Sequence, residues 1–362
     1  MQEVRSVADA DVAGKRVLLR VDFNVPLKDG VVVNDLRIRA VLPTLELLQQ
    51  KGAASIIILT DIGRPEGVVV EALRVAPVAA HLRGLTSVPF VMEENLRFER
   101  GEEAGDPAFA KKLSELGDVY VNDAFANSHR AHASMVLLPK LLPAYAGLRL
   151  QQEVKMLSQA LTPPPGSVAL IGGAKFETKV PLITKLLGVY DHMLLGGALA
   201  NDVIKARGLP FGKSLISELS VPPEIAGNER LEVPADAIFA ERGSNAERSG
   251  SIVDIRANEG VIDIGPLTAK AWGERIAKAP FVLWNGPVGI YEQGYSDGTD
   301  VLAAALARSG VRSVVGGGDT VAAVSKQQFD PEKVFISTGG GAMLQFLSDG
   351  TLPAIEALKN SH

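Results

Sequence analysis

The chain has 362 residues, more than one hydrophobic core usually organises, so two domains are expected. Its composition, 46% hydrophobic and 22% charged with a net charge of −5, is that of a soluble globular protein, and the acidic balance argues against nucleic-acid binding. No apolar run reaches the roughly 18 residues a membrane span needs, the opening MQEVRSVADADVAGK lacks a signal-like apolar core, and the absence of cysteine excludes disulfides, thiolate zinc sites and cysteine nucleophiles, so a cytoplasmic protein is expected.

In chain order, β-rich apolar runs occur at 16–23 (RVLLRVDF), 54–60 (ASIIILT), 118–123 (DVYVND), 167–173 (SVALIGG), 191–197 (DHMLLGG), 281–286 (FVLWNG), 311–317 (VRSVVGG) and 333–340 (KVFISTGG), with helical segments between them. This alternation predicts an α/β protein with doubly wound parallel sheets, that is, two Rossmann-like lobes. Helical periodicity over 148–160, closed by Pro163 to Pro165, predicts a connecting helix between an amino-terminal lobe, 1–147, and a carboxy-terminal lobe, 161–349. Ligands of such sheets bind beyond the carboxyl ends of the strands. Here those ends carry Asp22, Asn24, Thr60, Asp61, Asn122, Asp123, Asn285 and a series of glycines.

The two halves differ in chemistry. The first places Arg20, Arg37, Arg64, Arg97 and Arg130 near strand ends or turns, and arginine's planar fork suits carboxylate and phosphate. The second carries four glycine clusters, 172–175, 196–201, 316–320 and 337–342, each expected to open a helix whose amides could cradle phosphate. If a helix begins at GGAKFETKV, Lys175 and Lys179 share one of its faces. Asp319, directly after three glycines, suits magnesium, a hard cation that prefers carboxylate and phosphate oxygens. GLPFGKS at 208–214 is not a Walker loop, because its glycines are one residue too close, and no G-x-G-x-x-G fingerprint is present. His129 and His132 have no second cluster of metal ligands near them in sequence, which leaves them a structural or substrate-facing role.

Taken together, RVDFNVPL, NDLRIRAVLPTL, GRPEG, ENLRFERGEE, VNDAFANSHRAHAS, GGAKFETKV, GGALAND, GKSL, DIGPLT, WNGPVGIYE, GGGDTVAAV and STGGGAMLQFL resemble the phosphoglycerate kinase family, in family order along nearly the whole chain. The resemblance implies a monomeric hinge-bending kinase that binds 3-phosphoglycerate in the amino-terminal lobe and Mg-ATP or Mg-ADP in the other. It would move a phosphoryl group between 1,3-bisphosphoglycerate and ADP by lobe closure and charge stabilisation, with no covalent intermediate. By motif, Asp22, Asn24, Arg37, Asp61, Arg64, Arg97 and Arg130 occupy substrate-binding positions. Lys175, Lys179, Gly197, Asn285, Glu292, Gly317, Gly318, Asp319, Thr320 and Gly339 occupy nucleotide-binding ones, with Asp319 toward the metal. Arg37, Lys179, Gly340 and Gly341 would stabilise the phosphoryl group in flight, and 350–362 would fold back on the first lobe.

Three departures from the family's pattern stand out. Thr60, Asp61 and Ile62 replace Ser-His-Leu before GRP, which puts an acid beside an expected phosphate site, where it should repel unless it pairs with an arginine. The stretch between GRPEG and ENLRF is short by about one strand and helix. Ala126, Asn127 and Ser128 replace Gly-Thr-Ala, and the loop after Glu292 is one residue short.

Overall fold

The computed structural model describes residues 4–241 and 246–361. Its contacts divide the chain into two compact units, Met1–Lys155 with Thr351–His362, and Met156–Gly350. The helix Leu148–Leu161 runs through the division.

The first unit is built on a five-stranded parallel sheet in the order Val91–Met92, Ser55–Leu59, Arg16–Val21, Val119–Asp123, Ala144–Ala146. The central strand is buried along all but its first residue, as a parallel strand covered on both faces must be. Val17, Leu19 and Val21 pack in one core with Leu45, Leu48 and Leu82, which come from the helices Leu42–Gln50 and Ala76–Leu85. Both helices carry proline in the first turn, where the missing amide hydrogen costs nothing. From the central strand the chain winds first toward Ser55–Leu59 and later to Val119–Asp123 on the other side, so the order reverses beside Arg16–Val21. The last helix, Pro353–Lys359, belongs to this unit: Ala354 sits in a cluster with Ala124 and Met135, and its amide donates to the Ser128 carbonyl at 3.1 Å.

The second unit holds a six-stranded parallel sheet in the order Leu231–Glu232, His192–Leu195, Val168–Ile171, Phe281–Asn285, Arg312–Gly316, Val334–Ser337. Its order reverses between Val168–Ile171 and Phe281–Asn285. Val168, Leu170, Val282 and Trp284 form the core with Trp272, Ile276, Leu302 and Leu306 of the helices Pro266–Lys278 and Asp297–Ser309. All eight apolar runs singled out in the sequence are strands of these two sheets, and all four glycine clusters lead into helices, at Phe176, Gly197, Gly318 and Gly341.

A three-stranded antiparallel sheet was not foreseen from the sequence: Asp236–Glu241 pairs with Glu247–Ser251 on one side and Glu259–Ile264 on the other, with a register shift at Ile238/Phe239. A short hairpin, Leu27–Lys28 with Val31–Val32, is likewise new.

Candidate active site

In the second unit a cavity of about 960 Å³ opens at the carboxyl ends of the strands on both sides of the sheet's reversal. This is where ligands of doubly wound sheets bind. Its wall includes Gly173 to Lys175, Gly197, Pro287 to Ile290, Glu292 and Asp319, and the antiparallel sheet closes it with Ala240, Glu241 and Gly260 to Ile262. Lys175, Gly197, Glu292 and Asp319 thus reach the wall as the sequence suggested. The cavity also takes in Asn201, Lys213 and Tyr295, which the sequence reading did not single out. Lys213 lies in GKSL, and its amide donates to the Glu259 carbonyl at 2.7 Å, at the edge of the antiparallel sheet, which the sequence does not disclose.

Glycine at the reversal is required by close approach. The Gly173 amide donates to the Pro287 carbonyl at 2.9 Å and the Gly172 amide to the Asn285 carbonyl at 2.8 Å, which draws the two strand-end loops together. Gly286 has φ +97°, and a Cβ there would lie 2.2 Å from the Gly172 carbonyl oxygen. Gly286→Ala is therefore expected to destabilise the second unit by about 2–4 kcal/mol, measurable as a lower unfolding temperature, and to weaken nucleotide binding with it. Gly197 has the same double need: φ is +62° and a Cβ would stand 2.8 Å from the Gly173 backbone.

Lys175 and Lys179 do not share a helix face. Lys175 is the residue before the helix Phe176–Leu187, in a left-handed conformation and exposed. Lys179 is inside it and buried, donating through Nζ to the Gly172 carbonyl at 2.6 Å and to Asn285 Oδ1 at 3.0 Å. Burial holds its ammonium down to about 8, against the opposing pull of the Asp319 carboxylate. Asn285 is fixed in turn, its Nδ2 donating to the Gly316 carbonyl at 2.9 Å. The Thr320 hydroxyl accepts from the Gly286 amide at 2.6 Å. Lys179, Asn285 and Thr320 therefore stand behind the cavity wall and shape it. Gly317, Gly318, Gly339, Gly340 and Gly341 lie at neighbouring strand ends and do not line the cavity.

Among the described residues no group of three or more His, Cys, Asp or Glu side chains is arranged to cage a cation. Magnesium that arrives on phosphate needs only one or two protein carboxylates. Asp319, exposed on the cavity wall beside Lys179, provides one, so the residues present fit such an ion.

In the first unit Arg37 and Arg97 are tied into one group through Asp22, Asn24 and Gly63. Arg37 forms an ion pair with Asp22 at 2.8 Å and donates to the Asn24 carbonyl at 3.0 Å. Asp22 is pushed up by burial, which outweighs the opposing effect of Arg37. Asn24 accepts the Gly63 amide at 3.0 Å, which ties the loop of Asp61 to Arg64 into the group, and Arg97 donates to the Gly63 carbonyl from below. Arg64 is exposed. Arg130 is half-buried, its Nε 3.4 Å from His129 Nε2. Burial lowers both His129 and His132, the latter to about 4 with Arg20 and Arg97 adding to the effect, so both rings are neutral at pH 7.

Asp61, placed among the substrate contacts by the sequence, is fully enclosed and turned toward Arg20, Arg97 and Asn127. The expected repulsion is met by pairing. Arg97 is also buried, at 1% exposure. Arg20 is not a surface group at all: it is 0% exposed within the central strand.

The phosphoglycerate kinase family model matches residues 7–350. A phosphoglycerate kinase of Roseiflexus sp. (strain RS-1) is 40% identical over 393 residues, covering 99% of each chain. The solved phosphoglycerate kinase of Coxiella burnetii superposes with a TM-score of 0.87 at 36% identity, covering 98% of this chain and 99% of its own. That of Pyrococcus horikoshii gives 0.83 at 29% identity, over 98% of both. With the fold, the motifs in order and these likenesses spanning almost every residue, the chain belongs to the phosphoglycerate kinase family.

Proposed function

We propose that the protein is a working phosphoglycerate kinase, which transfers a phosphoryl group reversibly between 1,3-bisphosphoglycerate and Mg-ADP in glycolysis. The observation that carries this reading is the second unit's cavity, with Lys179 fixed behind its wall and Asp319 on it, in a chain whose family model spans 7–350. Phosphoryl transfer asks a protein chiefly for alignment and charge neutralisation. The first unit offers its arginines to the acid, Arg37, Arg64, Arg97 and Arg130, with Asp22 and Asn24 holding Arg37 in place. The second offers Lys175, Lys179, Glu292 and the amides following Gly317 and Gly339 to the nucleotide. Magnesium held by Asp319 would neutralise charge on the nucleotide's phosphates. Gly340 and Gly341 begin the helix Gly341–Asp349 and offer amides toward the phosphoryl group. No side chain needs to form a covalent intermediate. A monomer with small-molecule partners only is part of the same proposal.

The decisive measurement is a coupled assay of ATP-dependent 3-phosphoglycerate phosphorylation with magnesium and with chelator. Turnover that disappears with chelator is expected. Asp319→Asn should raise the magnesium concentration needed for half-maximal rate by about tenfold or more, the scale of one charged ligand. Tight ADP binding without turnover would overturn the reading.

A further inference from the structure

Beneath the arginines of the first unit lies a buried charge chain. Arg20 donates through Nε to Ser134 Oγ at 3.0 Å, through Nη1 to the Val21 carbonyl at 2.6 Å and through Nη2 to Asp61 Oδ1. That same Asp61 oxygen accepts Asn127 Nδ2 at 2.9 Å. The other Asp61 oxygen stands 3.1 Å from Nη2 of Arg97. Arg97 is clamped along one edge, where Nη1 donates to the Gly63 carbonyl. Its Nε and Nη2 face carboxylates, Glu103 at 3.3 Å and Asp61 at 3.1 Å, yet their hydrogens find no acceptor in bonding geometry. Buried donors without acceptors are costly in a native fold, so the guanidinium is held chiefly by charge, between Asp61, Glu103 and the Gly63 carbonyl.

Asp61 and Asn127 are also two of the positions at which the sequence departs from the family's motifs, and they are hydrogen-bonded to each other. A carboxylate introduced alone beside an anion site would repel the anion. Here its charge is neutralised on both sides, by Arg20 from within the sheet and by Arg97 from the site.

We propose that Asp61 is a positioning residue for the acid site, part of an Arg20–Asp61–Asn127 brace that fixes the Arg97 guanidinium against the Gly63 carbonyl and through Gly63 and Asn24 sets the loop beside Arg37. The inference rests on the phosphoglycerate kinase reading. Asp61 acts through Arg97 and does not touch the substrate. Asp61→Asn keeps the shape and the Asn127 neighbour but removes the charge that holds Arg97.

The test is calorimetric titration of 3-phosphoglycerate, together with steady-state kinetics, on the unaltered chain, Asp61→Asn and Asn127→Ala. In Asp61→Asn the Kd and KM for 3-phosphoglycerate should rise about ten- to hundredfold, the range of one charge-assisted hydrogen bond, while the KM for ATP stays within about twofold. Asn127→Ala, which keeps every charge and loosens only the brace, should give a smaller rise of the same kind. Unchanged or tighter acid binding in a folded Asp61→Asn chain, as removal of a repelling carboxylate would give, overturns the inference. So does an equal rise in both KM values, which would mark general damage. If Asp61→Asn does not fold, Asn127→Ala decides alone, and an unaltered Kd overturns the proposal. Absence of turnover in the unaltered chain sinks the kinase reading instead, and the dissociation constants then decide the positioning role by themselves.

Discussion

Lys179→Met should lower kcat by about two to three orders of magnitude, the scale seen when one pre-oriented electrostatic donor is removed from a reaction centre. The buried ammonium is held by the Gly172 carbonyl at 2.6 Å and Asn285 at 3.0 Å, so in the role proposed above its charge acts on the phosphate from behind the cavity wall without a search among rotamers. Methionine is similar in length and apolar, and it also removes a charge whose burial is unfavourable, so the variant should fold with a thermal stability close to that of the unaltered chain. That separates a lost charge from a lost structure. The same ammonium gives a pH signature. Because burial holds it down to about 8, the ligand-free protein loses this charge as pH rises through that value. The kcat/KM for nucleotide, which reports the free enzyme, should fall above pH 8, and Lys179→Arg should move the fall beyond the accessible range. A flat profile to pH 9.5 in the unaltered chain would contradict the role.

The second large effect concerns stability. Arg20→Met should cost about 3–5 kcal/mol, the range for removing one partner from a buried ion pair, and lower the first unit's unfolding temperature by on the order of 10 °C. Three hydrogen bonds vanish, and Asp61 and Glu102, both 0% exposed, lose the cation they share. The damage should depend on pH in a definite direction. Glu102 is already raised by burial and loses the cation that opposes this, and Asp61, held low by Arg20 and Arg97 together, keeps only Arg97, so both carboxyls move upward and the variant is least impaired where they are protonated. Its deficit grows as pH rises through their folded values. Unfolding scans at pH 5 and pH 8 should therefore show a larger gap from the unaltered chain at pH 8. An equal gap at both would mean that the lost packing of a long side chain, not the lost charge, explains the effect.

Much of this fold was legible because buried parallel strands advertise themselves. SIIIL and FVLWN are runs of apolar residues, RVLLRV is one broken only by arginine, each is followed by or ends in a small polar residue, and the structure makes each a strand. The antiparallel sheet was illegible for the opposite reason. Glu247–Ser251 reads ERSGS, with no apolar residue, and is held by backbone pairing to Asp236–Glu241, whose own alternation is broken by the register shift at Ile238/Phe239. The cavity's far wall, with Glu241 and the neighbouring Lys213, was lost with it. Arginines gave the other lesson. Arg20 in RVDF and Arg37 in DLRIRA look alike in sequence, yet Arg20 is sealed in a strand and Arg37 is half-exposed beside Asp22; only the partners each finds in space, Asp61 for one and Asp22 for the other, separate an internal strut from an accessible cation. In the same way, the four-residue spacing of Lys175 and Lys179 suggested one helix face, but the helix starts between them, at Phe176.

The placement of Thr351–His362 in the first unit has a consequence for the order of synthesis. As the chain leaves the ribosome, its first 155 residues emerge early but lack the helix Pro353–Lys359, whose Ala354 completes the cluster with Ala124 and Met135. The second unit, Met156–Gly350, is one uninterrupted stretch. Domains that form a single stretch can fold as soon as they emerge. The unit whose larger part is translated earlier is thus completed later, when the helix Pro353–Lys359 supplies Ala354 to its core.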